Sequence, residues 1–232
     1  MQTSLPGLLK QSPMACRVAP FVSFLILTGM QGSFGEASRY WIYALKAFLG
    51  GWMVWNLRGF IPEMKWRISW IGIITGVLVF VMWVCLDALL VGLGWKSSYP
   101  KLGASGDPWN PFEFFSENAL TAWGFVLIRW IGSTLVVPPL EEVFYRSFVY
   151  RYYTEADFEK ASLWKFSWVP FLVTCAIFAS THHEWLAALL CGFAYQGLVC
   201  RKRRLGDAIT AHAVTNFLLG GWVIFMGFWK YW

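Results

Sequence analysis

The chain has 232 residues, of which 57% are hydrophobic, 19% are aromatic and only 14% are charged. This composition excludes a disordered chain and is atypical of a soluble domain. The formal net charge of +6 does not indicate nucleic-acid binding, because the basic residues stand at the ends of apolar segments, as they do in membrane proteins.

Apolar segments recur along the chain, and a helix needs about 20 mostly apolar residues to cross a bilayer. Seven segments come close to that length, at 18–35, 40–57, 68–95, 118–140, 166–181, 185–200 and 208–229. Lys46, Asp87 and Arg129 are the only Asp, Glu, Lys or Arg residues inside them. With residues 141–153 as an additional short helix, the sequence predicts an all-α, polytopic membrane bundle of seven to eight transmembrane helices.

Too little chain remains between these segments for a soluble domain, so residues 1–232 are predicted to form one membrane-embedded domain. Residues 18–137 would form its N-terminal helices, and residues 138–229 would form the helices with the chemical motifs described below. The segment after Lys10 and Arg17 also resembles the apolar region of a secretory signal peptide. It lacks the small residues of a clean cleavage site, which favours an uncleaved helix.

The distribution of Lys and Arg predicts the orientation of the helices, because loops rich in these residues stay in the cytoplasm. If the seven segments cross with the N-terminus inside, twelve loop Lys and Arg residues lie on the inner side and four on the outer side. The inner set includes the basic run at 201–204. The outer set consists of Arg39, Lys96, Lys101 and Lys230. We therefore expect a cytoplasmic N-terminus.

Ionisable side chains are expensive in hydrocarbon, so those inside a span are functional candidates by default. Lys46, Asp87 and Arg129 are single charges on separate segments. Each can snorkel, pair with another helix or mark the boundary of a segment. The sequence therefore assigns them no role.

A denser group of charges, Glu141, Glu142 and Arg146, interrupts otherwise apolar chain. It follows Pro138 and Pro139 directly, and since proline suits the first turn of a helix, a helix is predicted to begin or bend there. Glu142 and Arg146 are four residues apart, which would place them on one helix face where they can pair. Glu141 would point about 100° away from that face and stay available for chemistry.

Two further polar motifs follow on later apolar segments. Phe178 and His182 are four residues apart at the end of the fifth segment, and an imidazole suits proton transfer or activation of water near neutral pH. His212 and Asn216 are four apart in the last segment, where two N–H groups directed at one point would stabilise an oxyanion. Asp207 is predicted to cap that last helix. Each motif alone also has a common structural explanation, as dipole compensation, interfacial anchoring or helix-to-helix hydrogen bonding.

Taken together and in this order, the motifs resemble the signature of the CPBP family, the CAAX proteases and bacteriocin-processing enzymes related to the Ras-converting endopeptidase. The residues that carry the resemblance are Glu141-Glu142-x-x-x-Arg146, Phe178-x-x-x-His182 and His212-x-x-x-Asn216. It covers residues 138–216, and residues 184–193 and 211–217 look like the bacterial branch associated with exosortase and PEP-CTERM sorting systems. The resemblance implies an eight-helix membrane bundle with a polar cavity open to the cytoplasmic side. It also implies the inner membrane of a bacterium.

The resemblance implies a role for each matched residue. Glu141 would be the general base that activates a water, and His182 would share that water. His212 and Asn216 would hold the oxyanion. Because Glu141, His182, His212 and Asn216 come from three segments, they must converge within hydrogen-bond reach of one water and one carbonyl. A separation of more than about 8 Å, beyond bridging by one or two waters, would refute the set.

The other two charges of the first motif, Glu142 and Arg146, would fix the local geometry. The sequence departs from the family pattern at two places. His183 directly follows His182 and is held in reserve as the working imidazole, and Ser147 stands where such motifs often have Gly.

The expected reaction is hydrolysis of a peptide bond in a membrane-anchored protein or peptide, without a cofactor, and the partners implied are that substrate and the lipid bilayer. Two alternatives stay open. The His and Glu residues would supply the three protein ligands of a zinc metallopeptidase, although the sequence lacks His-Glu-x-x-His. A non-enzymatic membrane protein would be a proton-coupled transporter or a bacteriocin-immunity scaffold with a decayed site.

Overall fold

The computed structural model describes residue 7, residues 12–95 and residues 108–232. Regular structure within these residues is helical, with no β-strand among them, which confirms the predicted all-α class. Lys10, Lys96 and Lys101, which contribute to the predicted orientation, lie outside the described residues.

The described residues form eight α-helical elements, which we number in chain order. They are α1 (Pro13–Gly29), α2 (Ser38–Leu57), α3 (Trp70–Gly92), α4 (Pro111–Phe114), α5 (Ala119–Thr154), α6 (Trp168–Ser180), α7 (Trp185–Lys202) and α8 (Leu205–Met226). Short 3₁₀ helices follow α2 at Pro62–Met64 and end the chain at Trp229–Tyr231. Each of the α-helices except the four-residue α4 overlaps a predicted apolar segment.

Three of the described helices, α3, α5 and α8, are each long and apolar enough to cross a membrane. Helices α1 and α6 are apolar but shorter. The chain is therefore an integral membrane protein, as predicted. The number of crossings and the orientation of the N-terminus stay predictions.

The sequence predicted that a helix begins or bends at the prolines, and an α-helical stretch does begin at Val137, directly after a π-helical segment. Residues 141–153 are not a separate short helix, because they belong to the longer helix α5. This helix runs without interruption over 36 residues. Proline has no N–H and its ring crowds the carbonyl four residues earlier, so Pro138 and Pro139 cannot form the usual α-helical hydrogen bonds to the preceding turn. The helix accommodates them by widening into a π-helical segment at Gly132–Val136, where Val137 N–H donates to the carbonyl of Gly132. A second π segment follows at Val143–Val149.

The chain groups into two compact units, each described by itself below. Unit 1 comprises residues 1–65, 107–144 and 216–232, and unit 2 comprises residues 66–106 and 145–215. Helix α5 contributes its first 26 residues, 119–144, to unit 1 and the rest to unit 2. The prediction of a single domain stays a prediction.

Unit 1 is built by α1, α2 and the first part of α5. Gly50 on α2 lets α5 approach closely, since a Cβ at this position would lie 3.0 Å from side-chain atoms of both Val136 and Leu140. Beside this contact, Tyr40, Tyr43, Trp109 and Phe125 form a buried, largely aromatic core together with Ala44 and Ala47. The core therefore fastens the loop before α4 to α2 and α5.

Two of the single charges of the sequence lie in unit 1, and each has local partners. Lys46 is buried, and its ammonium group donates to Thr28 Oγ1 at 2.9 Å and to Gln31 Oε1 at 2.8 Å. The guanidinium of Arg129 lies 4.7 Å from the ring centre of Tyr43 and 4.5 Å from that of Trp109. Hydrogen bonds and cation–π contacts thus compensate the burial of these cations.

Unit 2 is organised by α3, α6, α7 and the first half of α8. Helices α6 and α7 pack closely at Gly192, where a Cβ would lie 3.3 Å from Cys175. Thr215 on α8 is also tied to α3, since its hydroxyl lies 2.9 Å from the Gly76 carbonyl oxygen.

The predicted cap of the last helix is wrong, because α8 begins at Leu205 and Asp207 lies within its first turn. The carboxylate of Asp207 accepts a hydrogen bond from the Ser69 hydroxyl and an ion-pair bond of 2.8 Å from Arg204 Nε. Asp207 therefore fastens the start of α8 to the residue before α3 and does not cap the helix.

Gly76 sets the spacing of α3 and α8. A Cβ at this position would lie 2.5 Å from the Ala211 carbonyl oxygen and 2.7 Å from Val214 Cβ, so α8 would have to move. We expect Gly76→Ala to destabilise the protein by about 1–3 kcal/mol, as overpacking does elsewhere. Gly92→Ala in the same helix is the matched control, because a Cβ there meets nothing within 4 Å. The apparent unfolding midpoint in detergent should fall for Gly76→Ala only, and equal midpoints would contradict the close packing.

Candidate active site

Unit 1 contains the two glutamates of the first motif. Both lie at the end of the α-helical stretch Val137–Glu142, between the two π segments of α5. Glu142 is fully buried. Glu141 is half-buried, and its Oε2 atom is buried with no hydrogen-bond partner among the described residues. A buried carboxylate oxygen without a donor is costly and calls for an explanation, of which a catalytic role is one.

Asn216 also belongs to unit 1, at the point where α8 enters it. Its Nδ2 donates to the Ser133 carbonyl at 2.8 Å, within the first π segment. One of the two amide hydrogens is therefore used by the fold, and only the other is available to an oxyanion. Ser133 is a partner that the sequence analysis did not identify, because the two residues lie 83 positions apart.

The remaining motif residues lie in unit 2, around the ring of Phe178. His182 lies 4.6 Å from it and His212 lies 6.3 Å from it, both between ring centres. The guanidinium carbon of Arg146 lies 4.7 Å from the centre of the same ring. We call Arg146, Phe178, His182 and His212 the Phe178 cluster. In the sequence Phe178 is only the residue that marks His182 by its spacing, whereas in the structure it is the residue that the other three share.

His182 lies in the turn after α6 and not on the helix itself, which ends at Ser180. Its Nδ1 is 2.8 Å from the Phe178 carbonyl oxygen, and because a carbonyl only accepts, Nδ1 must carry the hydrogen. In the neutral imidazole Nε2 then has the lone pair and can accept a proton or a hydrogen bond from water. The ring is flanked by Phe178 on one side and by Trp83, at 6.1 Å, as an edge contact.

His212 is buried in α8 and its position is fixed by an aromatic partner. Its ring stacks on Tyr195 at 5.2 Å with an interplanar angle of 28°. The Tyr195 hydroxyl donates to Thr215 Oγ1 at 2.7 Å. Tyr195 is a second residue that the sequence analysis missed, because a tyrosine inside an apolar segment has no distinguishing pattern.

Arg146 is fully buried among aromatic rings, with Tyr145 and Tyr195 each 5.8 Å from its guanidinium carbon. These contacts hold the guanidinium among aromatic rings, and the supporting role of Arg146 stays a prediction. Its pairing with Glu142, and the convergence of Glu141 and Asn216 with His182 and His212, stay predictions. Among the described residues no three His, Cys, Asp or Glu side chains are grouped so as to hold a metal ion.

Comparison with known proteins finds a family model that matches part of the chain. Residues 122–218 match the family model described as Rce1-like: Type II CAAX prenyl endopeptidase Rce1-like. This segment, somewhat less than half of the chain, is similar to the CAAX protease (CPBP) family. No curated protein and no solved structure matches the chain. The matched segment contains all of the predicted site residues, from Glu141 to Asn216, and CAAX proteases are hydrolases of peptide bonds.

The family match confirms the resemblance that the sequence motifs indicated. The assignment to the bacterial branch associated with exosortase systems is not tested by it and stays a prediction. The roles of individual residues in a CAAX protease reaction are likewise expectations for this chain.

The environments of His182 and His183 predict which of the two serves as the imidazole in peptide cleavage. His182 is half-buried and fixed by the Phe178 carbonyl, whereas His183 is exposed. We expect His182→Gln to lower peptidase activity by about 10²–10⁴-fold, the contribution of a positioned acid–base group. His183→Gln should leave activity within about twofold of wild type, as for a surface substitution away from the site. Cleavage assays on both variants measure the difference. A larger loss of activity in His183→Gln than in His182→Gln would make His183 the working imidazole.

Proposed function

We propose that the chain is an intramembrane endopeptidase in which Glu141 activates a water to hydrolyse a peptide bond. Glu141 takes a proton from the water, and the hydroxide oxygen bonds to the carbonyl carbon of the substrate. The resulting tetrahedral oxyanion then collapses, the C–N bond breaks, and the proton on Glu141 passes to the leaving amine. The products are a carboxylate and an amine, so no oxidant, reductant or further group is required.

The observation that carries this proposal is the buried Oε2 atom of Glu141, which has no hydrogen-bond partner in the described part of the chain. A carboxylate kept for structure would be expected to accept hydrogen bonds there, as buried polar groups normally do. A carboxylate that receives a water and its proton must instead keep an acceptor site available. Its neighbour Glu142, which is fully buried, is assigned the supporting role.

The roles proposed for the other residues follow from their hydrogen bonds. His182 presents Nε2 as an acceptor, since Nδ1 donates to Phe178, and it would share the attacking water with Glu141. His212 and the second amide hydrogen of Asn216 would donate to the oxyanion. Arg146, held by three aromatic rings, would keep the first motif in place.

The proposed substrate is a membrane-anchored protein or peptide cut near its C-terminus. This follows from the family description, which names CAAX prenyl endopeptidases, and from the apolar helices that place the chain in the bilayer. The proposed location is the inner membrane of a bacterium, which the resemblance of the motifs to the bacterial branch implies. The N-terminus is proposed to lie in the cytoplasm, because loop Lys and Arg residues divide twelve to four.

Glu141→Gln tests the mechanism. The amide preserves the shape of the side chain but cannot take the proton, so we expect turnover to fall by about 10²–10⁴-fold while substrate binding persists. The measurement is cleavage of an internally quenched, farnesylated C-A-A-X peptide and of its unprenylated twin by protein in liposomes. Glu155→Gln, at an exposed residue in the loop after α5, is the matched control and should retain full activity.

Two outcomes would overturn the proposal. Full cleavage by the Glu141→Gln variant would exclude the glutamate mechanism. A wild-type protein that cleaves neither probe, and whose Glu141→Gln variant leaves the membrane proteome unchanged in cells, would favour the transporter or immunity alternatives. If a substrate exists, the inactive variant should accumulate it uncleaved, which a proteomic comparison would identify.

Metal dependence has a separate test. The proposed reaction uses only side chains of this protein, so strong chelators such as 1,10-phenanthroline should leave the cleavage rate unchanged. Purified active protein should contain no stoichiometric zinc by elemental analysis. Loss of activity on chelation with recovery on adding zinc would contradict this and support the metallopeptidase alternative.

A further inference from the structure

The turn after α6 contains a set of short contacts that the proposed reaction does not by itself explain. Besides His182 Nδ1, the Thr181 hydroxyl oxygen lies 2.9 Å from the Phe178 carbonyl oxygen. The same hydroxyl oxygen is 3.2 Å from His182 Nδ1. On its other side it is 3.1 Å from the hydroxyl oxygen of Tyr145, a fully buried residue of α5.

These distances allow one consistent assignment of the hydrogens. The Phe178 carbonyl can only accept, so both the Thr181 hydroxyl and His182 Nδ1 donate to it. With its hydrogen used, the Thr181 oxygen is an acceptor, and the Tyr145 hydroxyl is then the donor in their contact. The Nδ1 hydrogen has the Thr181 oxygen as a second acceptor. Every donor therefore has an acceptor, and the hydrogen bonds run from Tyr145 through Thr181 to Phe178.

The position of His182 explains why such a chain is useful. His182 lies beyond the last residue of α6, and side chains on loops are held less precisely than those on helices. Thr181 is exposed and lies between the helix and the histidine, so on its own it would not fix the turn. Tyr145 ties the turn to α5, and its ring packs edge-on against Phe178 at 5.1 Å. The turn is thereby anchored to two helices.

We propose that Tyr145 and Thr181 are positioning residues for His182: their hydroxyls, with the Phe178 carbonyl, hold the imidazole with Nδ1 as the donor and Nε2 as the acceptor. This inference rests on the proposed function for its effect on catalysis. The hydrogen-bond chain itself is independent of that function. Neither residue touches the reacting atoms, and both act through His182.

Kinetics of matched variants test the effect on catalysis. Thr181→Val and Tyr145→Phe each remove a hydroxyl and keep the shape, and we expect each to lower kcat about 3- to 10-fold with KM unchanged, the value of one hydrogen bond. Thr181→Ser keeps the hydroxyl and should stay within about twofold of wild type. Thr154→Val and Tyr153→Phe are controls, since both residues are exposed near the end of α5 and should behave as wild type.

A double variant separates positioning from general destabilisation. If Tyr145 acts through Thr181, the variant carrying both Thr181→Val and Tyr145→Phe should be no slower than Thr181→Val alone, within about twofold. If the two substitutions caused independent structural defects, their fold-losses in kcat would multiply instead. Additive losses in the double variant, or a Thr181→Val variant with unchanged kcat, would overturn the proposal.

Nitrogen-15 NMR of ring-labelled histidine provides a readout that does not require activity. The chain has only three histidines, so His182 can be assigned with His183→Gln and His212→Gln variants of the full-length protein in bicelles. We expect a single Nδ1–H form of His182 in the wild-type protein and a second, Nε2–H population in Thr181→Val. An Nε2–H form in the wild-type protein would overturn the proposal even if the enzyme is active. A wild-type protein that is inactive on both peptides but has the expected NMR pattern would instead overturn the proposed function and leave the hydrogen-bond chain in place.

Discussion

Two consecutive prolines inside a membrane helix are the constraint on which the rest of this structure depends. Pro138 and Pro139 cannot donate hydrogen bonds, and α5 continues past them by widening into π-helical turns. Because the helix does not stop, the same element places Glu141 in unit 1 and Tyr145 and Arg146 in unit 2. The widened turns are also where Asn216 finds its acceptor, the Ser133 carbonyl.

Hydrophobic pattern predicted most of the helices, because the length and sparse charge of apolar segments are strong signals. The bounds of α2 and α7 agree with the predicted segments to within two residues. The continuity of α5 could not be predicted in this way, since the usual rule places prolines at the start of a helix. The position of Asp207 within the first turn of α8 was also not predicted, for a different reason. Its partners Ser69 and Arg204 become available only when α3 and α8 are packed together.

The candidate site was predictable in its residue types and less so in their surroundings. The four-residue spacing of Phe178 and His182 correctly indicated that the two side chains lie together, although His182 is beyond the helix. The hydrogen-bond chain from Tyr145 through Thr181 joins two helices, and local spacing contains no information about such contacts. The single charges Lys46 and Arg129 proved to have hydroxyl, amide and aromatic partners, which local sequence could not identify.

The hydrogen bond from Asn216 to Ser133 affects how well the sequence of a related protein indicates whether that protein is still an active peptidase. An amide at position 216 supports the packing of α8 on α5, so it would be retained by selection for folding even after loss of catalysis. Its presence in a sequence therefore says little about activity. Glu141 is in the opposite situation, because the described part of the chain gives its buried oxygen no hydrogen bond that folding would preserve. In a lineage released from selection for peptide cleavage, position 141 should drift first while position 216 persists.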